Sequence, residues 1–399
     1  MKKLLYMLTA VIVLMSCEAE ERYSLTGHVK GDVDEAWVYL QKMEVEGPLN
    51  IDSMIMNNGN FNFTGKVDYP GLYAIAIDRT PVGEERNYKM VNVAKFYLEN
   101  ADITFDGDIE TLPTYYYSRN KKTVKPTISG SQTHNLNLHW DSIQKPLALK
   151  LRDLDKKYMN EYSIPYFDDH VENIEVGIAI AEQMTETEIE LRDLKLKFIK
   201  ENINSVLALD LASHFFTGMY VDLTVEEINE MLSWFKKEWA ETPLLVKLKQ
   251  QAEAAKRMAM GQPLKDIDLL NTKGEHVPLS SLIEPGKLNM LEFWASWCGP
   301  CRGEIPHLRR VHHQYKDKGF NIISISIDGK EADWQKAMAE EAMVWNQLRD
   351  PKGMNGDVRD VYNVFGVPTC IILDEEGRIF KTNMRGSYLD LFLQETFDN

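Results

Sequence analysis

Cysteine is scarce in this sequence, with four residues among 399. Small secreted domains that depend on disulfides carry cysteine at a much higher density, so buried apolar surface must stabilise this chain and its cysteines are better explained by chemistry. Basic residues are also in deficit, because 45 Lys and Arg face 61 Asp and Glu and give a formal charge of −16. Such a chain repels phosphate overall, and we therefore exclude nucleic acid as a partner.

The apolar run near the N-terminus, residues 4–15, is too short for a permanent transmembrane helix, which takes about 20 residues. Two lysines precede the run and the small residue Ser16 follows it. A charged segment, an apolar segment and a small residue, in this order, are typical of a secretory signal. The body of the chain is thus predicted to lie outside the cytoplasm, where glutathione does not keep thiols reduced.

Residues 14–17 resemble a bacterial lipobox. The resemblance implies cleavage before Cys17 and attachment of lipid to its sulfur and its new amine, with residues 1–17 as the lipoprotein signal and residues 18–22 as a tether. The glutamates after Cys17 resemble the surface-export tag of some Gram-negative lipoproteins. The predicted location is therefore the cell envelope of a Gram-negative bacterium, periplasmic or on the outer-membrane surface. A secreted protein cut nearby, without lipid, is the alternative.

Residues 23–130 contain short strand-like segments separated by turn formers. Examples are residues 36–40, 60–63 and 72–77, with Asn57-Asn58-Gly59-Asn60 as a turn signal. This spacing predicts an all-β domain built as a small antiparallel sheet or sandwich.

The apolar period becomes helical over residues 131–261. Thr224 and Glu227 have the spacing of a capping box at the start of one helix, and Thr185 and Glu188 repeat it, which predicts a second helix start. An Ala-rich stretch ends at Gly261, which favours a domain boundary there. We predict a helical middle region.

Strand and helix signals alternate over residues 262–399. Residues 289–293, 320–327 and 369–373 read as buried strands, and residues 305–315 read as a helix. This alternation predicts a mixed α/β sheet in a third domain.

Cys298 and Cys301 are separated by two residues, between a predicted strand and a predicted helix. A helix N-terminus favours the thiolate of the first cysteine, and the pair can close a disulfide, so thiol-disulfide exchange is the expected chemistry. Half of a zinc site is the rival interpretation. His307 and His312 follow Cys301 more closely in sequence than zinc-finger ligands do, and they do not share a helix face. We therefore predict no metal.

Residues 291–301, which end in Trp-Cys-Gly-Pro-Cys, resemble the thioredoxin superfamily. Pro306 stands where that superfamily kinks its active-site helix, and residues 367–369 resemble its cis-proline loop. Residues 301–306, together with Asp374 and Gly377 after the cis-proline strand, resemble the TlpA/ResA branch of exported thioredoxin-like proteins. The resemblance implies a thioredoxin-like C-terminal domain whose redox group is the cysteine pair, with no further cofactor.

The resemblance assigns catalytic roles to four residues. Cys298 is the attacking thiolate and Cys301 resolves the mixed disulfide that forms. Glu292 stands where thioredoxins keep an acid beneath the pair, and it is the candidate base for Cys301. Many relatives have Asp there, so Glu292 departs from the pattern by one methylene. A salt-bridged acid at a strand end is the alternative for Glu292.

Pro368 is the fourth catalytic residue, and a cis bond there would leave the Val367 backbone free to pair with a substrate strand. A simple turn proline is the alternative. Trp297 offers an apolar contact for substrate, unless it is a packed rim aromatic. The substrate-binding candidates are Trp297, Gly299, Pro300, Val367 and Thr369. Cys370 reads as a small buried hydrophobe, and a third thiol that traps the pair in a wrong disulfide is the alternative.

These features predict an extracytoplasmic thiol-disulfide oxidoreductase that reduces protein disulfides and is recharged by a membrane electron donor. Its partners would be protein disulfides or thiols. A disulfide isomerase that dimerises through the helical region is one alternative, and a ligand-binding surface lipoprotein with an incidental redox domain is another. A thiol peroxidase is disfavoured, because residues 291–298 lack the Pro and Thr of a peroxide-binding loop.

Overall fold

The computed structural model describes residues 22–44, 47–115, 123–169, 171–217 and 221–398. The predicted lipoprotein signal, Cys17 and all but the last residue of the tether lie outside the described residues and stay predictions. No helix in the described ranges is both long and apolar enough to span a bilayer. The chain divides into two compact units, Met1–Leu138 and His139–Asn399. The predicted domain boundaries near residues 130 and 261 stay predictions.

The first unit is rich in β-structure, as predicted. Its strands are β1 (Tyr23–Lys30), β2 (Trp37–Glu44), β3 (Gly47–Ile55), β4 (Asn60–Gly65), β5 (Gly71–Asp78), β6 (Val91–Leu98), β7 (Asp102–Asp108) and β8 (Thr127–Ser129). They form two four-stranded sheets, in the orders β4-β1-β7-β8 and β3-β2-β5-β6. Buried side chains of both sheets, including Leu25, Phe105, Val38 and Phe96, belong to one apolar core.

The antiparallel prediction is wrong for one pair of strands in this unit. β1 and β7 are parallel, with Leu25 opposite Ile103. Short turns force neighbouring strands into antiparallel hairpins, but β1 and β7 are separated by five strands, most of which lie in the other sheet. Local turn signals therefore carry no information about this pairing.

The middle region is helical, as predicted. Its helices are α1 (Gln132–Tyr158), α2 (Ile164–Asp169), α3 (Ile174–Glu201), α4 (Val206–Thr217), α5 (Val225–Trp234) and α6 (Pro243–Lys256). The predicted capping box at α5 is present, because Thr224 Oγ1 accepts from Glu227 N at 3.2 Å and Glu227 Oε2 accepts from Thr224 N at 2.8 Å. The predicted helix start at Thr185 is wrong. Thr185 lies inside α3, whose buried face already includes Ile180 and Met184.

The C-terminal part of the second unit has the predicted mixed α/β sheet. Its elements are β9 (Asp268–Asn271), β10 (His276–Pro278), β11 (Leu288–Trp294), α7 (Gly299–Tyr315), β12 (Phe320–Ser326), α8 (Glu331–Glu340), β13 (Asn346–Arg349), α9 (Asp357–Tyr362), β14 (Thr369–Leu373), β15 (Ile379–Thr382) and α10 (Ser387–Phe397). The strand order is β10-β9-β13-β12-β11-β14-β15. β11, β12 and β13 are parallel, and β14 is antiparallel to β11.

Helices α7 and α8 lie on the same face of this sheet. Each connects neighbouring parallel strands in the same direction along the strand order, and such crossovers are right-handed. Arg302 of α7 donates to Glu340 at 3.0 Å and to Glu341 at 2.7 Å, which joins the start of α7 to the end of α8. The first turn of α7 is thereby held against the end of α8.

The helical region packs closely against α7 and α10 within the second unit. The ring of Phe167 lies 2.6 Å from the point where a Cβ atom on Gly303 would stand. A Cβ atom on Gly177 of α3 would lie 2.1 Å from Ser387 Oγ and 2.5 Å from Tyr162 Cδ2. Tyr158 Oη accepts from Ser387 N at 3.1 Å. Glycine is required at these positions because the neighbouring chain occupies the space of a side chain.

We expect Gly177→Ala to lower the free energy of unfolding by about 1–3 kcal/mol, because the added methyl overlaps Ser387 and Tyr162. Ala is otherwise the better helix former by about 1 kcal/mol, so the predicted sign opposes helix propensity. Urea unfolding followed by tryptophan fluorescence measures the change. Val176→Ala, at an exposed position of the same helix, is the control and should have a small effect. A Gly177→Ala protein as stable as the wild type would contradict this packing.

Candidate active site

Cys298 and Cys301 form a disulfide at the first turn of α7. Cys298 is the N-cap residue, and its Sγ accepts a hydrogen bond from Cys301 N at 3.2 Å. Cys298 is 5% exposed and Cys301 is fully buried, whereas the adjacent Trp297 is 64% exposed. The first sulfur is therefore the one nearer to the surface, and a backbone N–H and the helix N-terminus both favour negative charge on it.

A buried carboxylate fixes the loop that leads into the pair. Asp328 accepts from Ser296 N at 2.8 Å, from Ser296 Oγ at 2.7 Å and from Ser326 Oγ at 2.7 Å. These bonds join the end of β12 to the turn between β11 and α7. Sequence reasoning missed Asp328, although an acid directly after an apolar strand is a signal that could have found it.

The substrate-binding candidates lie in two neighbouring loops. Trp297, Gly299 and Pro300 are exposed, and Val367 is half-buried. The Val367–Pro368 peptide bond is cis. The Thr369 side chain is buried and donates to Gly366 O at 2.8 Å, so it holds the loop and does not face solvent.

Phe365 is an exposed aromatic of the cis-proline loop that sequence reasoning did not single out. It is 59% exposed, and the guanidinium of Arg359 lies 5.5 Å from its ring centroid. The two loops near the redox pair therefore each present a large aromatic side chain to solvent.

Glu292 lies in the interior of the sheet. It is opposite Ser324 of β12 and Cys370 of β14, and it is 3% exposed. Its Oε2 accepts from Ser324 Oγ at 2.6 Å. Burial raises the pKa of Glu292 to about 8, and the Ser324 hydrogen bond opposes that rise. A carboxyl group with this pKa can exchange a proton near neutral pH.

Cys370 is buried beside Glu292 and takes no part in the disulfide. Its Sγ–H donates to Met384 O at 3.1 Å. Burial raises the pKa of the Cys370 thiol, so its nucleophilic thiolate form is suppressed. This arrangement agrees with the interpretation of Cys370 as a small buried side chain.

The two histidines considered as zinc ligands contact other groups. The His312 ring lies 5.6 Å from the Trp345 ring, and both nitrogens of His307 face carboxylates. In the part of the chain that the structure describes, no group of three or more His, Cys, Asp or Glu side chains is arranged to hold a metal ion.

His307 belongs to a buried ion cluster that joins α7 to α10. Its Nδ1 lies 2.9 Å from Glu304 Oε1, and its Nε2 lies 3.0 Å from Asp390 Oδ1. Arg310 Nη2 donates to both Asp390 oxygens, at 2.8 and 2.9 Å. Gly386 N donates to Glu304 Oε1 at 2.8 Å. All the acceptors of the imidazole are carboxylates, so it carries a proton on each nitrogen.

The pKa of His307 is raised to about 9 in this cluster. Burial disfavours the charge of His307, but the Glu304 and Asp390 carboxylates outweigh burial. The same pairing holds the pKa values of Glu304 and Asp390 below their ordinary range against the effect of burial. The two helices are thus joined by charges that neutralise one another inside the protein.

We expect the stability that His307 confers to be complete below its ordinary pKa of about 6.5 and to be lost as pH rises through about 9. The loss should be of the order of 3 kcal/mol, and urea unfolding at a series of pH values measures it. His307→Gln should be less stable at pH 6 and should lack this loss. His313→Gln, at an exposed position of α7, should keep it. A wild-type stability that stays level between pH 6.5 and 9 would contradict the assignment.

Two family models match the chain. Residues 260–382 match the AhpC/TSA family, and residues 23–137 match a domain of unknown function, DUF4369. The first match contains the cysteine pair, Glu292 and the cis-proline loop. The second covers most of the first unit.

The chain is similar to proteins named thiol-disulfide oxidoreductase. It is 36% identical to the thiol-disulfide oxidoreductase ResA of Oceanobacillus iheyensis over 26% of this chain and 51% of the relative. It is 31% identical to ResA of Halalkalibacterium halodurans over 32% of this chain and 69% of the relative. The chain therefore spans about half and about two thirds of the lengths of these relatives.

A solved structure, the thioredoxin domain of a thiol-disulfide oxidoreductase from Bacteroides vulgatus, is 34% identical, with a TM-score of 0.32 over 35% of this chain and 98% of that chain. The family rests on the sequence relatives, which are similar to the part of the chain that contains the disulfide. Through that part, the chain belongs to the ResA-like family of thioredoxin-like thiol-disulfide oxidoreductases.

Proposed function

We propose that this protein is an extracytoplasmic reductant of protein disulfides that acts through Cys298 and Cys301. The observation that carries the proposal is the placement of the pair at the N-terminus of α7, with the first sulfur nearer to the surface and the second fully buried. A disulfide in a client polypeptide can reach only the first sulfur. The second is placed to act from within the same helical turn.

The reaction begins with the reduced pair. The Cys298 thiolate attacks one sulfur of the client disulfide, so a mixed disulfide forms and the other client sulfur leaves as a thiolate. Cys301 then loses its proton and attacks Cys298 Sγ, which releases the second client sulfur and closes the Cys298–Cys301 disulfide. The client gains two electrons, and an electron donor returns two electrons to the pair.

Glu292 is the proposed acceptor of the Cys301 proton. It lies in the strand that leads into α7 and is buried, with a pKa of about 8. Its carboxyl group accepts a hydrogen bond from the neutral Ser324 hydroxyl, which fits a proton-exchanging group better than a salt-bridged acid. Glu292 is longer than the Asp of many relatives, and its carboxylate reaches across to β12.

The client is proposed to bind through its main chain beside the cis-proline loop, with Val367 as the pairing partner. Trp297 of the cysteine loop and Phe365 of the cis-proline loop offer exposed apolar contacts. Recognition of this kind accepts many polypeptides, because it depends on backbone and general apolar surface and requires no specific side chain.

The reducing direction is favoured by the two residues between the cysteines. Gly299 and Pro300 supply no side-chain donor that would stabilise the Cys298 thiolate. A thioredoxin at about −270 mV reduces clients, whereas DsbA at about −120 mV oxidises them because its thiolate is strongly stabilised. A lipid anchor at Cys17 would hold the protein at the cell envelope, within reach of a membrane electron donor.

The isomerase alternative requires the helical region to form a dimer interface. In the second unit this region already packs against α7 and α10 of its own chain, through Phe167, Gly177 and Tyr158. That use of its surface favours a monomeric reductase. Light scattering and the refolding of a scrambled substrate distinguish the two, because an isomerase would be dimeric and would restore the native disulfides.

We expect Cys298→Ser to lose all catalysis of insulin disulfide reduction by dithiothreitol, because no nucleophile remains at the surface. Cys301→Ser should instead accumulate mixed disulfides with client polypeptides, seen on non-reducing gels. Cys370→Ser is the matched control and should keep wild-type activity, because Cys370 is buried outside the disulfide. An active Cys298→Ser protein would overturn the proposal.

A normal cellular phenotype in Cys298→Ser, combined with loss of that phenotype on deletion of residues 23–130, would favour the ligand-binding lipoprotein.

The equilibrium of the Cys298–Cys301 couple against glutathione measures the direction of electron flow. We expect a potential near the thioredoxin value of about −270 mV. A potential near about −120 mV would make the protein an oxidant and would reverse the proposed direction while leaving the exchange chemistry intact.

A further inference from the structure

Glu292 is the end of a buried chain of hydrogen bonds that begins at a tryptophan. Trp345 Nε1 donates to Ser324 Oγ at 2.8 Å, and Ser324 Oγ donates to Glu292 Oε2 at 2.6 Å. Trp345 is 7% exposed, Ser324 is fully buried and Glu292 is 3% exposed. The three residues come from β11, β12 and the turn before β13. The short distances and the burial make this chain the main polar contact of the carboxyl group.

The direction of the chain is fixed by the chemistry of its first member. An indole N–H is a donor only, so the Ser324 oxygen must accept from Trp345. The single hydroxyl proton of Ser324 is then directed away from the indole and toward Glu292. A hydrogen bond donated to a carboxyl oxygen stabilises its ionised form. Trp345 therefore orients Ser324, and Ser324 favours the charge on Glu292.

The other charged groups that act on Glu292 have opposite effects on its ionisation. Glu304 of α7 disfavours its charge, and Arg385, ahead of α10, favours it. Cys370 of β14 is a neutral thiol that donates elsewhere. His312 of α7 contacts the indole ring of Trp345, and burial lowers the pKa of that imidazole. Among these groups the Ser324 hydroxyl is the one that donates a hydrogen bond to the carboxyl group, and it opposes the effect of burial on the charge of Glu292.

We propose that Ser324 and Trp345 are positioning residues that keep part of the Glu292 population ionised at neutral pH, so that it can accept the proton of Cys301. The proposal rests on the proposed function of Glu292 as that acceptor. It assigns a role to one of the buried polar residues of β12 and to a tryptophan that does not belong to the cysteine motif.

The Trp345 ring also borders an open cleft of about 550 Å³ that is lined by α8 and the strands beside it. A small side chain in its place would admit water to Ser324 and mix two effects. Trp345→Phe keeps an aromatic ring at the border of the cleft and removes the donor together with part of the indole volume. Trp334→Phe is the matched control for the smaller ring, because Trp334 is also buried and its Nε1 has no hydrogen-bond partner among the described residues.

The test titrates the Glu292 carboxyl group by NMR in protein labelled with ¹³C at glutamate, with Glu292→Gln to assign the signal. We expect Ser324→Ala to raise the midpoint by roughly one to two pH units. Trp345→Phe should raise it by a smaller amount. Trp334→Phe should leave it unchanged, and Ser324→Thr, which keeps a hydroxyl, should stay near the wild type. Unchanged midpoints in both Ser324→Ala and Trp345→Phe would overturn the proposal, and Trp345→Phe alone decides if Ser324→Ala does not fold.

The pH profile of mixed-disulfide resolution, measured by stopped flow, separates this proposal from the one on which it rests. The midpoint of that profile should follow the carboxyl midpoint in each variant. If Glu292→Gln leaves the resolution profile unchanged while Ser324→Ala still moves the carboxyl titration, the role of Glu292 as proton acceptor fails. The control of its ionisation by Ser324 and Trp345 would then stand by itself.

Discussion

The imidazolium of His307, held between the carboxylates of Glu304 and Asp390, fixes α7 against α10, and the geometry of the redox pair depends on it. Cys301 precedes Glu304 by one turn of the same helix, so any movement of α7 moves the buried sulfur. An unpaired charge in this interior would cost several kcal/mol, which makes separation of the two helices unfavourable. The position of Cys301 is therefore set from beneath the helix by ions and from its start by the Asp328 bonds to Ser296.

The same low dielectric that strengthens the ion cluster sets the proton chemistry of Glu292. The cluster satisfies its charges in pairs, whereas Glu292 meets a neutral hydroxyl and burial raises its pKa to about 8. The pKa values of two acids in one interior thus shift in opposite directions, because Glu304 contacts the His307 imidazolium and Glu292 contacts a neutral hydroxyl. Glu304 is held in an ion pair with His307 and accepts from Gly386 N, whereas Glu292 has a pKa at which a carboxyl group can exchange a proton near neutral pH.

Local signals in the sequence predicted the elements but not the contacts between distant residues. The cysteine motif, the capping box at Thr224 and the alternation of strands and helices each depend on residues a few positions apart, and the structure contains them. The bonds from Glu292 to Ser324 and from His307 to Asp390 join residues 32 and 83 positions apart. Nothing local in the sequence encodes such distances. The parallel pairing of β1 with β7 was missed for the same reason. Ser324 was nonetheless visible as a hydroxyl within an apolar strand, which is a signal for a buried polar contact.

The close contacts at Gly177 and Gly303 limit how residues 262–399 can be fused to another protein. Gly177 and Gly303 bring α3 and α2 so close to α10 and α7 that each surface is shaped by the other. A recombination that joined only residues 262–399 to a foreign partner would leave Ser387 and the first turn of α10 without the tyrosines that cover them. A graft that preserves this packing would have to include α1–α3 together with the redox fold.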